Sequence, residues 1–218
     1  MNTFSDALLW RYATKKFDPT KKLTQEQLDY LMNAGRLAPT SFGLQPFKIL
    51  VITDQKTKEQ LSPAAFNQPQ IIDSSAVFVL AANKSGLRAE DVDSFITLVS
   101  QTRGVPVDSL AGFRQTLLDF STRATTEQQI EWIKKQLYIV LGVIISAAAM
   151  SAIDSCPMEG FNPSEVDKVL GLEALGLTSA VLLSVGYRAT DDKYSQAKKV
   201  RKPISELFVP IATPGEQK

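Results

Sequence analysis

Apolar positions along the chain follow two spacings. Leu28, Leu31, Met32 and Gly35 mark one face of a helix that Thr24 and Gln27 open as a capping box and that ends near Arg36. Ile130, Ile133, Leu137, Val140, Leu141 and Ile144 repeat at the same spacing along a longer helix capped by Thr125 or Thr126. Residues 4–10 and 89–100 also read as helices, and a short one fits 56–61. Residues 102–122 read as helical too, with Pro106 suited to a first turn. Three runs, FKILVIT at 47–53, SAVFVLA at 75–81 and TSAVLLSVGY at 178–187, are apolar enough for strands buried in a sheet. Residues 155–160, SCPMEG, read as a turn leading into a short helix. The tail at 206–211 could add an edge strand to its own sheet or a partner's, since Pro210 restricts it to an edge. Helices and strands alternate irregularly, without a repeat or linker. The expectation is one α+β domain over residues 1–218, with a small sheet and much helix.

Composition removes whole reaction classes. The 218 residues carry a net charge of +1, which offers no basic excess for a nucleic-acid backbone. Without a histidine there is no Ser-His-Asp triad, Cys-His pair or His-based zinc site, so no metal is expected. Cys156 is the only cysteine, which rules out an intrachain disulfide and a CxxC pair and points to a small buried residue. The dinucleotide fingerprint GxGxxG is absent. Gly171 and Gly176 have P-loop spacing, but Leu177 stands where the phosphate-binding lysine belongs. The N-terminal residues mix acids and lysines where a signal peptide needs an apolar stretch, so a cytoplasmic protein is expected. The uncharged run at 136–153 approaches membrane-spanning length. Its continuation of an amphipathic pattern favours a core helix over a membrane partner, and its small residues also suit a dimer contact.

Three pieces are candidates for chemistry: a basic turn at 11–16, a Pro/Ser/Gly loop at 39–46 and a basic loop at 198–202. Taken singly, the first and last read as solvated faces and the second as a connection. Taken together, WRYATKKFDPTKKLTQEQL, LAPTSFGLQPFK, FNQPQIIDSSAVFV, PMEGF and KKVRKP follow one another in a recognisable order and spacing over essentially the whole chain. That arrangement resembles the oxygen-insensitive NAD(P)H nitroreductases and related bacterial flavin reductases.

The resemblance implies a small, mostly antiparallel sheet flanked by helices, a long central helix and an intertwined homodimer. It implies FMN as cofactor, NAD(P)H as co-substrate and a small-molecule electron acceptor such as a nitroaromatic, quinone or flavin. Arg11, Lys199 and Arg201 match the family's phosphate partners, and Tyr12 and Ala13 belong to the same cofactor-binding turn. Lys15 matches the lysine at the pyrimidine end of the ring, where a fixed cation favours the reduced, anionic flavin. Asn67 matches the asparagine paired with the polar ring edge, although alone it reads as a turn residue. Pro157, Glu159 and Gly160 match the segment packed beside the ring. Pro39, Thr40, Ser41 and Gln45 match residues that reach the FMN of the other subunit. Phe42, Leu118 and Phe120, with Leu117, fall near the acceptor pocket and its helical lid, where core packing explains the helix positions equally well. Three places depart from the family pattern: Gln70 stands where some members carry a second flavin-facing lysine, Ala13 stands where some carry serine, and Phe42-Gly43 replaces a smaller polar pair in the interface loop. They leave the flavin potential, the choice of NADH or NADPH and the shape of the acceptor pocket open. The implied mechanism is ping-pong hydride transfer in which Lys15, Glu159 and Gly160 position the flavin and no side chain acts as acid or base. A non-enzymatic flavin-binding protein, or a specialised enone reductase or dehalogenase of the same family, is the alternative.

Overall fold

The computed structural model describes residues 3–211. Thr3 caps α1 (Phe4–Trp10) in a reciprocal capping box with Asp6, and Arg11 ends the helix by turning extended. The chain then runs along the sheet, where Ala13 bridges Ser155 and Phe17 bridges Arg188. Among the described residues the sheet has four strands, β1 (Phe47–Ile52), β2 (Ala76–Asn83), β3 (Asp154–Met158) and β4 (Leu177–Gly186). Their spatial order is β1-β2-β4-β3, and every pairing is antiparallel.

Alternation along β2 divides the core in two. Ala76, Phe78, Leu80 and Ala82 face a cluster that includes Leu28 and Leu31 of α2 (Gln25–Arg36) and Ile133, Leu137, Val140 and Ile144 of α7 (Thr126–Met150). Val77, Val79 and Ala81 face a second cluster with Leu61 of α3 (Gln55–Leu61), Ile71 of α4 (Pro69–Asp73) and Val166 of α8 (Pro163–Val169). Each fully buried apolar side chain stabilises the fold by about 1.5–3 kcal/mol, so the inward face of α7's uncharged stretch (Leu137, Val140, Leu141, Ile144, Ala148 and Ala149) is core. Tyr138, Ile139 and Met150 on its other side are exposed. α2 and α7 meet closely at Gly35, where an added Cβ would lie 2.9 Å from Ile144 Cδ1. A third, smaller cluster joins α5 (Ala89–Arg103) to α6 (Ala111–Thr122) through Val92, Ile96 and Leu117.

Three sequence expectations are corrected. Residues 154–158 form a strand rather than a turn; Pro157 is tolerated because β3 lies at the sheet edge, where a ladder N–H can be missing. The expected helix at 102–122 is split, because Gly104 at φ +65° ends α5 in the left-handed conformation and Pro106 precedes a single turn before α6. The chain's own tail adds no strand to the sheet within the described residues. Ile204–Leu207 is a one-turn helix (α9), and Phe208, Val209 and Ile211 are exposed.

Candidate functional site

The basic turn and the basic loop meet. Arg11, Tyr12, Ala13 and Lys15 form one wall of a cavity of about 330 Å³, and Tyr194, Lys198, Lys199 and Arg201 form the other. Among the described residues five cations line it (Arg11, Lys15, Lys198, Lys199 and Arg201) and no acid does. Burial holds the Arg11 guanidinium below its ordinary pKa, and the charge of Arg201 adds to the effect. Lys199 is lowered in the same way, by burial first and then by Arg11, Arg201 and Arg188. Arg11 Nε is buried without a hydrogen-bond partner among the described residues. Like charges held together around an unpaired buried donor form a site short of an anion, and a phosphate group meets both needs.

The sequence reading missed the acids behind this wall. Asp154 Oδ1 accepts from Arg188 Nε at 2.7 Å and Oδ2 from the Arg188 backbone N–H at 2.9 Å, with Asp154 only 4% exposed. The Arg188 guanidinium lies 4.1 Å from the ring centre of Trp10 and 4.6 Å from that of Tyr12, so cation–π contacts fix the end of α1 and the start of the basic turn. Asp192 is buried beside them.

Of the expected ring-side residues only Lys15 lines this cavity, and Glu159 lines a separate one with Tyr138, Lys134 and Lys135. Thr14 N–H donates to Ser155 O at 3.2 Å, which docks the turn on β3 just before Pro157. Gln68 Nε2 donates to Gly160 O at 2.6 Å and joins the loop containing Asn67 to the segment after β3. Asn67 adopts φ +53°, a left-handed conformation that asparagine tolerates better than most residues. Gln70 is 4% exposed and its Oε1 has no partner among the described residues, leaving an acceptor free for a ligand N–H. Glu159 is exposed and accepts from the Tyr138 hydroxyl. Burial and that bond push the Tyr138 pKa up to about 12. Cys156 is buried, and its thiol pKa is raised by that burial despite the nearby cations Lys15 and Arg11.

The loop at 39–46 does not line this cavity. Its Ser41 N–H donates to Gln136 Oε1 at 2.8 Å, Gln45 Nε2 donates to Arg36 O at 3.0 Å, and Thr40 Oγ1 is buried without a partner among the described residues. Phe42 and Gln45 hold φ of +58° and +47°, strain of the kind that accumulates at functional sites. Phe42 packs edge-on against Phe120 with ring centres 5.4 Å apart, and Phe120 against Trp132 at 5.0 Å. The structure thus brings Phe42 and Phe120 together and adds Trp132, which the sequence did not single out. Leu117 is fully buried core, and Leu118 is a partly buried neighbour in the same cluster.

Residues 8–187 match the family model described as the nitroreductase family. The chain belongs to the nitroreductase family. The chain is 30% identical, over 95% of its length and 96% of the relative's, to a protein of Staphylococcus aureus (strain bovine RF122 / ET3-1) named as an NAD(P)H nitroreductase. Its fold is shared with a nitroreductase-like protein from Streptococcus mutans, with a TM-score of 0.84 at 21% identity, covering 97% of this chain and all of that one. It is shared too with a protein of Exiguobacterium sibiricum, described as a nitroreductase in complex with FMN. The TM-score there is 0.81 at 21% identity, covering 97% and 98% of the two chains. The nitroreductase-like α+β fold, with its antiparallel sheet and long helix, is therefore that of the family.

Proposed function

We propose that this chain is an oxidoreductase that binds FMN in the cation-lined cavity and transfers hydride from NAD(P)H to a small acceptor such as a quinone or nitroaromatic. The observation that carries the reading is the convergence of Arg11, Lys15, Lys199 and Arg201 around Arg11 Nε, which, among the described residues, has no partner and no acid beside it in the cavity lining. A relative that shares the fold is described with FMN, and the S. aureus relative is named for NAD(P)H.

The chain's residues divide the work. Arg11, Lys199 and Arg201 hold the phosphate, and Tyr12 and Ala13 complete that wall. Lys15 places a fixed charge beside the ring, the free Gln70 Oε1 and the Asn67 amide serve its polar edge, and Pro157, Glu159 and Gly160 pack against it. When bound, FMN supplies a ring able to take up and pass on a hydride, which no side chain can do. No side chain is needed as acid or base, and Glu159 is engaged by Tyr138. One binding face serves NAD(P)H and acceptor in turn, with Phe42, Phe120 and Leu118 beside the acceptor.

A homodimer completes the site. Pro39, Thr40, Ser41 and Gln45 stand away from their own chain's cavity and reach a partner's, where Thr40 Oγ1 finds its missing bond. Exposed apolar side chains on α1 (Phe4, Leu8, Leu9) and α7 (Tyr138, Ile139, Met150) supply the contact surface.

Purified protein is expected to be yellow, to release FMN on denaturation and to oxidise NADH or NADPH when menadione or a nitrofuran is added. Colourless protein that cannot be reconstituted with FMN overturns the reading. Protein that retains FMN but fails to turn over any acceptor is a flavin carrier instead.

A further inference from the structure

Asp192 sits where the two walls of the cation cavity join, and it is 4% exposed. Its Oδ2 accepts from the Tyr12 hydroxyl at 2.9 Å, the Lys15 N–H at 2.9 Å and the Lys16 N–H at 3.1 Å. Its Oδ1 accepts from the Tyr194 N–H at 3.1 Å. Tyr12, Lys15 and Tyr194 all line the cavity, so three of these four donors belong to its walls, on segments about 180 residues apart. Asp191 next to it is exposed and pairs with Lys16 at the surface.

The environment keeps this carboxylate ionised. Burial alone raises its pKa, but the N–H groups of Lys16, Lys15 and Tyr194 and the Tyr12 hydroxyl outweigh burial and hold it below the ordinary range. The same hydrogen bond, after burial, raises the Tyr12 hydroxyl pKa, which keeps that hydroxyl a donor. A buried negative charge beside a cation cluster has two opposed effects. It fixes the Lys15, Lys16 and Tyr194 backbone within the turn and loop that also carry Arg11, Lys199 and Arg201, yet at long range it repels an incoming anion. Geometry decides which prevails. With four donors on its two oxygens, the carboxylate is turned into the protein, and its short-range effect is to set the walls.

We propose that Asp192 is a positioning residue of the anion site, clamping the turn at 11–16 to the loop at 192–201 so that their cations converge on one phosphate. The proposal rests on reading the cavity as the FMN phosphate site. Comparing FMN with riboflavin, which is the same ring and ribityl chain without the phosphate, isolates the effect from general damage to the fold.

The test titrates FMN and riboflavin into the full-length, flavin-free protein, comparing wild type with Asp192→Ala, Asp192→Asn and Tyr12→Phe, and with Arg11→Ala and Arg201→Ala as references. Asp192→Ala is expected to weaken FMN about tenfold or more, the loss of roughly one charge-assisted hydrogen bond, and to leave riboflavin within about twofold. Asp192→Asn, which retains one acceptor oxygen, should fall between, and Tyr12→Phe should weaken FMN by about two- to fivefold. If Asp192→Ala does not fold, the Asn and Phe variants decide the matter by the same FMN-to-riboflavin ratio. Equal weakening of both ligands, or unchanged or tighter FMN binding while the two arginine variants lose it, overturns the positioning role alone. If none of the variants moves FMN affinity, the phosphate reading falls with it.

Discussion

Lys199 Nζ donates to the carbonyl oxygen of Leu9 at 2.7 Å, closing a sequence separation of 190 residues. Leu9 lies in the last turn of α1, whose carbonyls have no partners within the helix, so the ammonium caps that helix and meets the negative end of its dipole. An ammonium has three donors, and the other two are available to the cavity that Lys199 lines. One residue thereby anchors the wall and charges it.

The two roles can be separated. Lys199→Gln keeps a donor for Leu9 O and removes the charge, whereas Lys199→Met removes both. FMN affinity is expected to fall in both variants, by about tenfold for one charge-assisted contact, and α1 amides should lose hydrogen-exchange protection only in the methionine variant. Arg201→Ala should weaken FMN to a similar degree without touching α1. Unchanged FMN titrations for Lys199→Gln and Arg201→Ala would remove both residues from the site.

How much of this was legible in the sequence depends on what each residue needs from afar. β2 and β4 are mostly apolar because the centre of the sheet is covered on both faces, so their reading was local and correct. β1 was also read correctly as a strand, but it lies at an edge, half-buried and with Lys48 exposed. β3 was hidden because Pro157 and Gly160 carry turn signals, and only its edge position makes a proline acceptable there. The basic turn and the late basic loop were visible as charges, but their convergence came from the family resemblance. No local pattern connects Arg11 with Arg201. Asp154, Arg188 and Asp192 were unreadable for a related reason: a buried acid has the letter of a surface one until its donors, here on Tyr12, Lys15 and Tyr194, are known.

Gln136 shows how the core supports the loop at 39–46. It is 6% exposed on α7, its Oε1 accepting from Ser41 N–H while its Nε2 donates to Trp132 O at 3.2 Å. Gln136→Leu leaves the Ser41 N–H without its acceptor, at a cost of about 1–3 kcal/mol, and frees the loop. Urea denaturation should show that loss. If the loop serves a partner's cofactor, FMN affinity should also drop while the phosphate cavity stays intact. A destabilised variant with wild-type FMN affinity would place the loop outside the cofactor site.

Phe120 is held edge-on between Phe42 and Trp132, and each such pair contributes about 0.5–1.5 kcal/mol beyond burial. Because Phe120 is only partly buried, Phe120→Ala should cost about 2 kcal/mol, less than the ~3–5 kcal/mol of a fully buried phenylalanine. An acceptor-side role is expected to appear as a changed KM for the quinone or nitro substrate, with FMN affinity unaltered. If KM values for all acceptors stay at wild-type levels and only stability falls, Phe120 is core.

Lys58 gives a pH signature with a definite sign. It is fully buried, and its Nζ donates to Ile72 O at 2.9 Å and Ser74 O at 2.7 Å at the C-terminal end of α4, the helix that carries Gln70. Burial, and then the charge of Lys22, lowers its pKa from 10.5 to about 8. A neutral amine has two N–H groups for these two carbonyls, so deprotonation keeps the bonds and removes the buried charge. Below pH 8 both folded and unfolded chains hold the proton and the penalty is at its full value. Between pH 8 and 10.5 the unfolded chain binds a proton that the folded one does not, so stability from this group rises with pH, and above 10.5 the rise is complete. Lys58→Met lacks this titration and strands the Ile72 carbonyl at every pH, while Ser74 O keeps the Lys22 ammonium at 3.4 Å. The stability of wild type relative to Lys58→Met, measured by urea unfolding at about pH 7, 9 and 10.5, should therefore grow in favour of wild type across that window. A difference that stays flat or shrinks would show that the Lys58 ammonium is not penalised by its burial.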